Sequence, residues 1–235
     1  MSHDLRTPMN AIIGYTALME KHWGEKEVTA GYLQKLKEAG NFLMDLIGNI
    51  LEVARIESGK ETLTETAWNL CNLEDTLDLL LDRDIYKKQL TLKKNMELQH
   101  PKVYCDVLKV REITMNLLSN AVKYTPEGGT IHFTIRELPY EREGYALFQT
   151  VVEDTGIGIS KEYIPHLFEA FTREKSSSES GIIGTGLGLR IVKKFVDLME
   201  GSIVVESEIG KGTRFTVTIP HRIATANEYI SEENA

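Results

Sequence analysis

A histidine near the start of the chain stands among polar residues that could support nucleophilic chemistry. His3 and Thr7 are four positions apart, so on a helix their side chains lie on one face. Asp4 follows the histidine and can hold one ring nitrogen protonated, which leaves the other as a nucleophile. Pro8 is predicted to kink the helix, because its ring clashes with the carbonyl of Asp4. The alternative, ordinary polar residues at a helix start, stays open on this segment alone.

Two asparagines further along the chain could hold a metal ion together with phosphate. Asn116 and Asn120 are one helical turn apart and present amide oxygens to one point. Mg²⁺ prefers a few oxygen ligands with substrate phosphates and water. On the same predicted helix Lys123 can reach a phosphate, and Tyr124 can lie against a nucleotide. Helix caps or solvated polar positions are the alternative for the asparagines.

Three glycine-containing segments follow, at 154–158, 184–188 and 210–213. The second opens a predicted helix, where glycine amides form an anion site for phosphates. The first, taken alone, could be a hairpin or a Ca²⁺-binding turn. The chain has neither a third glycine for a dinucleotide fingerprint nor a Gly-x-x-x-x-Gly-Lys loop. The polar, serine-rich stretch 172–183 is either a mobile lid or a disordered loop.

Composition excludes several classes of protein. The 235 residues are 42% hydrophobic, enough for a core, and 27 Lys and Arg against 35 Asp and Glu give a net charge of −8. This acidic balance disfavours a protein that coats nucleic acid, although it permits a nucleotide pocket. Cys71 and Cys105 are too few for a disulfide framework. No stretch approaches the roughly 18 apolar residues of a membrane helix, and no signal peptide is visible.

The elements that must position these residues fall into two parts. A heptad pattern from Leu5 breaks at residues 23–27 and resumes at Leu33, with a second apolar stripe beside it. That width predicts a helical hairpin that completes a four-helix bundle as a dimer. From about residue 60, helices at 72–86, 106–124 and 189–199 mix with strands at 90–96, 103–105, 130–136, 147–153, 203–206 and 214–219. Their irregular order favours an α+β sandwich, and the tail after Pro220 is predicted to be loose.

In sequence order the motifs resemble the boxes of sensor histidine kinases of two-component systems. Segment 3–8 resembles the H-box, 116–124 the N-box, 154–159 the G1 box, 168–173 the F-box and 184–189 the G2 box, and 210–213 resembles a last glycine box. The chain departs from the usual pattern at Asp4, where Glu is more frequent, and at Lys211, where a small residue is commoner.

The resemblance implies a role for each matching residue. His3 would accept phosphate, Asp4 would assist as base, Thr7 would orient water for dephosphorylation and Arg173 would meet the γ-phosphate. Asp154 would accept a hydrogen bond from the adenine amino group. The remaining nucleotide-binding residues would be Asn116, Asn120, Lys123, Tyr124, Gly156, Gly158, Gly184, Gly186, Leu187, Gly188 and Thr213, with Mg²⁺ held by Asn116 and Asn120.

The family further implies a domain plan. A phosphotransfer hairpin at 1–60 would form a dimeric four-helix bundle, and an ATP-binding α+β sandwich of the Bergerat (GHKL) type would span 61–222. A polar tail would occupy 223–235. The expected activity is ATP-dependent phosphorylation of His3 and transfer to an aspartate of a response regulator receiver domain, with regulator phosphatase activity through Thr7.

Two alternatives remain beside the kinase. An ATP hydrolase of the gyrase, Hsp90 or MutL type would carry a Glu one turn before the magnesium asparagine, where this chain has Asn116. A degenerate, non-catalytic module is disfavoured because all the boxes are intact. The abrupt start, with His3 almost at the terminus, suggests a cytoplasmic core of a longer sensor. We expect no nucleic-acid partner, and membrane contact only through segments outside this chain.

Overall fold

The structure, a computed structural model, describes residues 2–59, 61–172 and 185–225. It divides into two compact units: Met1–Glu61 with Ile183–Gly188, and Thr62–Ile182 with Leu189–Ala235.

The first unit is built on a helical hairpin. Helices α1 (Ser2–Lys21) and α2 (Lys26–Glu57) are joined by a turn that contains Gly24 at φ 106°. The turn between the two helices therefore coincides with the break in the heptad pattern predicted at residues 23–27. Helix α1 continues through Pro8. Next to the turn, Tyr15 and Tyr32 stack with their ring centroids 6.2 Å apart.

The hairpin leaves an apolar stripe of α2 facing outward. Leu46 is fully buried. The exposed members of the stripe are Leu33, Met44, Ile47 and Leu51, which are 54%, 69%, 40% and 59% exposed. Successive members of the stripe are eleven, three and four residues apart along the chain, so they lie on one face of the helix. Met44 and Leu51 belong to this face although the heptad interpretation did not include them.

The second unit contains most of the remaining secondary structure. Its helices are α3 (Asn72–Lys87), α4 (Val107–Tyr124) and a short 3₁₀ turn (Ile164–His166), and α5 (Gly188–Leu198) continues into it. Its strands are β1 (Thr66–Asn69), β2 (Thr91–Glu97), β3 (Lys102–Cys105), β4 (Thr130–Leu138), β5 (Tyr145–Asp154), β6 (Ser202–Glu208) and β7 (Gly212–Ile223).

The seven strands form one mixed sheet in the order β1-β3-β7-β5-β4-β2, with β6 also paired to β7. The β2–β4 pair is parallel and the other pairs are antiparallel. Register along the β5–β7 pair places Asp154 opposite Thr213. The first and the last glycine segments of the sequence are therefore neighbours at one end of the sheet.

The core of the second unit lies between the helices and one face of the sheet. Along β4 burial alternates residue by residue, as expected for a strand with one covered face. On α4 and α5 the buried residues recur at helical spacing. The chief members are Ile113, Leu117, Leu118, Ile131, Phe133, Ile135, Phe148, Val152, Ile191, Phe195, Phe215 and Val217. The predicted helical hairpin followed by an α+β sandwich is confirmed.

The strands differ from the sequence-based expectation at several places. Strand β1 was not predicted, since its four residues gain their partner only by pairing with β3, more than thirty positions away. Strand β5 begins at Tyr145, two residues early. Strand β7 runs past Pro220 to Ile223, with His221 buried, so the chain directly after Pro220 is not loose. Residues 226–235 lie outside the described part.

Candidate nucleotide site and phosphoacceptor helix

The predicted phosphoacceptor residues occupy the first two turns of α1. His3 and Asp4 are helical, and their side chains lie outside what the structure describes. Thr7 is exposed one turn later, next to the buried Pro8. The helical spacing that places positions 3 and 7 on one face is therefore present.

The asparagines lie on α4 and are not among the residues that this helix buries. Asp106 caps this helix by accepting a hydrogen bond from the Lys109 amide at 3.2 Å. Asn116 and Asn120 are both half-buried. The Asn116 amide nitrogen donates to the Glu112 carbonyl at 2.9 Å. Because the nitrogen is engaged with the helix backbone, the Asn116 amide oxygen is the atom left to act as a ligand.

A magnesium ion would have to be held mainly by phosphate at this place. Among the residues that the structure describes, no group of three or more His, Cys, Asp or Glu could hold a metal ion. Two neutral amide oxygens are a suitable but weak donor set for Mg²⁺, which keeps several waters and commonly binds with substrate phosphates. The residues therefore fit a metal that arrives with a nucleotide.

Asp154 ends β5 as a buried carboxylate, only 7% exposed. Its Oδ1 accepts a hydrogen bond from the Gly156 amide at 2.8 Å, and the Thr213 amide donates to it as well. Burial raises the pKa of Asp154 to about 6, against the effect of these two amides, and the nearby Glu153 adds to the rise. Above that pH the group is an acceptor that could receive an amino hydrogen of a ligand.

Glycines around Asp154 are required by contacts with protein backbone. A Cβ on Gly156 would lie 2.7 Å from the Tyr124 carbonyl oxygen. A Cβ on Gly212, whose φ is 115°, would overlap the Asp154 carbonyl oxygen. Gly158 likewise lies against the Glu208 carbonyl at φ 72°. These glycines keep the G1 loop (155–159) closely packed between α4 and the β6–β7 hairpin.

Backbone hydrogen bonds hold the same loop on both sides. The Ile157 amide donates to the Tyr124 carbonyl at 3.2 Å, and the Gly210 amide donates to the Ile157 carbonyl at 2.8 Å. The end of the N-box helix, the G1 loop and the last glycine segment are thus joined directly. The structure brings together Tyr124, Asp154, Gly156, Gly158 and Thr213, which were predicted in these three segments. The other predicted residues of α4, Asn116, Asn120 and Lys123, precede Tyr124 on the same helix, Asn116 by two turns and Asn120 by one.

Ser207 supports this arrangement and was not predicted from the sequence. Its hydroxyl accepts from the Ile159 amide at 2.8 Å and donates to the Gly212 carbonyl at 2.9 Å. The Thr213 hydroxyl lies 2.9 Å away from it. A serine on an alternating strand carries no local sign of such a role, because its partners come from two other segments.

Of the remaining predicted residues, the structure describes only some. Arg173 and Gly184 lie outside the described residues. Gly186, with φ 68°, and the fully buried Leu187 precede α5, which begins at Gly188, one residue before the predicted start. This segment belongs to the first compact unit, where the Asn49 amide donates to the Thr185 hydroxyl at 3.2 Å.

The two units correspond to two known domain types. Residues 1–59 match the family described as His Kinase A (phospho-acceptor) domain. Residues 105–223 match the family described as histidine kinase-, DNA gyrase B-, and HSP90-like ATPase. The chain therefore joins a phosphoacceptor hairpin to an ATPase-type nucleotide domain. It belongs to the sensor histidine kinases of two-component systems.

Two similar proteins are a sensor protein and a sensor kinase/phosphatase. The chain is 37% identical to the sensor protein GacS of Pseudomonas syringae pv. syringae over 93% of its length, covering 24% of that protein. It is 32% identical to the autoinducer 2 sensor kinase/phosphatase LuxQ of Vibrio parahaemolyticus over 94% of its length, covering 26% of that protein. The chain thus spans about a quarter of these two relatives.

Solved structures agree with this fold. ShkA in complex with AMPPNP is 26% identical, with a TM-score of 0.70, over 96% of this chain and 45% of that one. ThkA in complex with its response regulator TrrA is 25% identical, with a TM-score of 0.69, over 93% of this chain and 59% of that one. No described helix of the present chain is long and apolar enough to cross a membrane.

Proposed function

We propose that the chain is the catalytic core of a kinase that transfers the γ-phosphoryl group of ATP to His3. The observation that carries this proposal is the buried Asp154 carboxylate, held by two backbone amides beside the end of the N-box helix. A desolvated acceptor at this place suits the amino group of adenine, because a buried hydrogen bond of this kind rejects bases that lack the donor.

The other residues are assigned to the rest of the nucleotide. Asn116 and Asn120 would hold Mg²⁺, which neutralises phosphate charge when it is bound. Lys123 would meet a phosphate, Arg173 the γ-phosphate, and Tyr124 would lie against the nucleotide. The Lys123 ammonium lies 5.2 Å from the ring centroid of Tyr124, so the two side chains already share one surface. Glycine amides of the G2 segment, at 184, 186 and 188, would bind phosphates.

The transfer itself forms one bond and breaks one. A ring nitrogen of His3 attacks the γ-phosphorus, the bond from this phosphorus to the β–γ bridging oxygen breaks, and ADP leaves. Asp4 takes the proton of the imidazole. The phosphoryl group then passes to an aspartate carboxylate of a receiver domain. The ThkA–TrrA complex supports such a partner, since it pairs a similar kinase with a response regulator.

Dimerisation through the hairpin is part of the proposal. The exposed stripe of α2 formed by Leu33, Met44, Ile47 and Leu51 is too apolar to remain in water unpartnered. A second hairpin would cover it and complete a four-helix bundle.

Labelling with ATP tests the activity. The whole chain is incubated with γ-labelled ATP and Mg²⁺, and we expect a label that is lost in acid and stable in base. His3→Gln should abolish it, whereas His132→Gln, at an exposed position of β4, should retain it. Label on His3→Gln, or none on the wild-type chain, would contradict the proposal.

A further inference from the structure

Lys88 lies outside every nucleotide-binding box, at a point where two helix C-termini meet. It is the C-terminal capping residue of α3, and its side chain is half-buried. The Gln89 amide donates to the Tyr86 carbonyl at 3.1 Å, and the Leu90 amide donates to the Ile85 carbonyl at 3.0 Å. This pair of bonds is a Schellman motif, which turns the chain sharply after the helix. The Lys88 side chain reaches α4 from this turn.

The Lys88 ammonium group donates three hydrogen bonds to the last turn of α4. Nζ lies 2.7 Å from the Val122 carbonyl, 2.8 Å from the Lys123 carbonyl and 3.0 Å from the Thr125 carbonyl. Carbonyls at a helix C-terminus have no partner within the helix. A cation there also meets the negative end of the helix dipole. Lys88 therefore satisfies the C-terminal carbonyls of α4, which would otherwise bond to a capping turn or to water.

Lys88 does not bond to the Tyr124 carbonyl, which has its partner in the G1 loop. The Tyr124 carbonyl accepts from the Ile157 amide at 3.2 Å, and the Ala121 carbonyl accepts from the Thr125 amide at 3.0 Å. Every carbonyl from 121 to 125 thus has a partner. The end of α4 is held on one side by Lys88 and on the other by the loop that follows Asp154.

We propose that Lys88 is a positioning residue for nucleotide binding, because it sets the orientation of the end of α4 against the G1 loop. The residues it orients are Lys123 and Tyr124, the last two residues of α4, where the helix is hydrogen-bonded to the G1 loop. Burial lowers the pKa of Lys88 and the carboxylate of Asp84 opposes the shift, as expected for an ammonium group that exchanges water for carbonyl oxygens. The proposal rests on the ATP site proposed above.

Nucleotide affinity of the full chain tests the role. Lys88→Met keeps the apolar stem and removes all three donors, so we expect the Kd for ATP, with Mg²⁺, to rise about tenfold. Lys87→Met removes the same charge from the exposed neighbouring position and should change the Kd by less than about twofold. A folded Lys88→Met variant with wild-type affinity overturns the proposal.

A second measurement separates this proposal from the ATP site itself. Hydrogen exchange of the Ile157 amide reports the joint without any nucleotide, and Lys88→Met should accelerate it whereas Lys87→Met should not. If the wild-type chain binds no ATP, the proposed function fails, and unchanged Ile157 exchange would overturn the role of Lys88 as well. If Lys88→Met does not fold, Lys88→Arg decides. Its planar donors cannot meet three converging carbonyls, so a roughly threefold rise in Kd supports the proposal and wild-type affinity refutes it.

Discussion

At the scale of single residues, Asp154 combines a proposed binding role with a cost in stability. Its pKa of about 6 lies above the ordinary value of 3.8, so the folded protein favours the protonated carboxyl. At pH 7 the ionised group therefore destabilises the fold, and this destabilisation is relieved as the pH falls through 6. Because the buried carboxylate destabilises the fold, Asp154 is a candidate for a functional residue and not for one that contributes to packing.

Replacement of Asp154 by Asn should separate these two effects. The neutral amide still accepts from Gly156, so we expect the free energy of unfolding at pH 7 to increase by about 2 kcal/mol. ATP affinity should fall by at least about tenfold, because the charged acceptor is lost. Denaturant unfolding and ATP titration measure the two quantities.

Glu153→Gln is the matched control for that variant. Glu153 is an exposed carboxylate paired with Arg214 at 2.7 Å. Its loss should change stability by less than about 1 kcal/mol and leave ATP binding intact. Equal effects of the two substitutions would contradict a special role for Asp154.

Thr7 is the second residue whose role can be isolated. Thr7→Ala should leave phosphorylation of His3 intact and slow the loss of phosphate from a phosphorylated receiver domain by about tenfold or more, because the hydroxyl would no longer orient the attacking water. The decay of labelled receiver in the presence of each form measures this. Equal decay rates would remove Thr7 from the phosphatase reaction.

At the scale of elements, the end of α3 carries a strained residue. Gln89 has φ 53° in the C-terminal turn of the Schellman motif, a position usually occupied by glycine. Gln89→Gly should raise the free energy of unfolding by about 1 kcal/mol, because glycine adopts this conformation without a Cβ clash. Gln89→Ala keeps the clash and should give no gain in thermal or denaturant unfolding. A stabilisation shared by both variants would place its cause elsewhere.

At the scale of the whole molecule, stability between pH 7 and 5 depends on two opposing groups. Burial lowers the pKa of His221 to about 4 from its ordinary value of 6.5. The folded protein therefore favours neutral His221, and this stability is present above pH 6.5 and is lost as the pH falls toward 4. Asp154 acts in the opposite direction over part of the same interval, so the wild-type chain should lose only about 1 kcal/mol of stability between pH 7 and pH 5.

Single substitutions should separate the pH dependence of stability that each of the two groups causes. On going from pH 7 to pH 5, Asp154→Asn should lose about 2 kcal/mol of stability through His221. His221→Leu should instead gain about 1 kcal/mol through Asp154. Denaturant unfolding at the two pH values measures both, and parallel curves for the two variants would refute this explanation.

Assembly is the other property of the whole molecule. Ile47→Glu places a charge in the middle of the exposed α2 stripe and should convert dimers to monomers in sedimentation at micromolar concentration. Asn41→Glu adds the same charge to an exposed polar position of that helix and should leave the dimer intact. A dimer that persists in Ile47→Glu would place the interface elsewhere.

Features that depend on local spacing could be predicted from the sequence alone. The helical hairpin, its break near Trp23, the N-box helix and the order of the glycine segments follow from residues a few positions apart, because helical periodicity and chain reversal are local properties. The family resemblance rests on the same local strings. Boundaries were accurate to a few residues where apolar patterns were long, as on α4.

Features that join distant segments became visible in the three-dimensional fold. It paired β1 with β3, set Asp154 opposite Thr213, brought Ser207 to the G1 loop and carried the Lys88 ammonium to carbonyls more than thirty positions away. It also showed which stripe of α2 stays exposed. Hydrogen bonds and burial of this kind depend on sheet register and helix packing. No local pattern in the sequence contains them, because each partner is chosen by the fold of the whole unit.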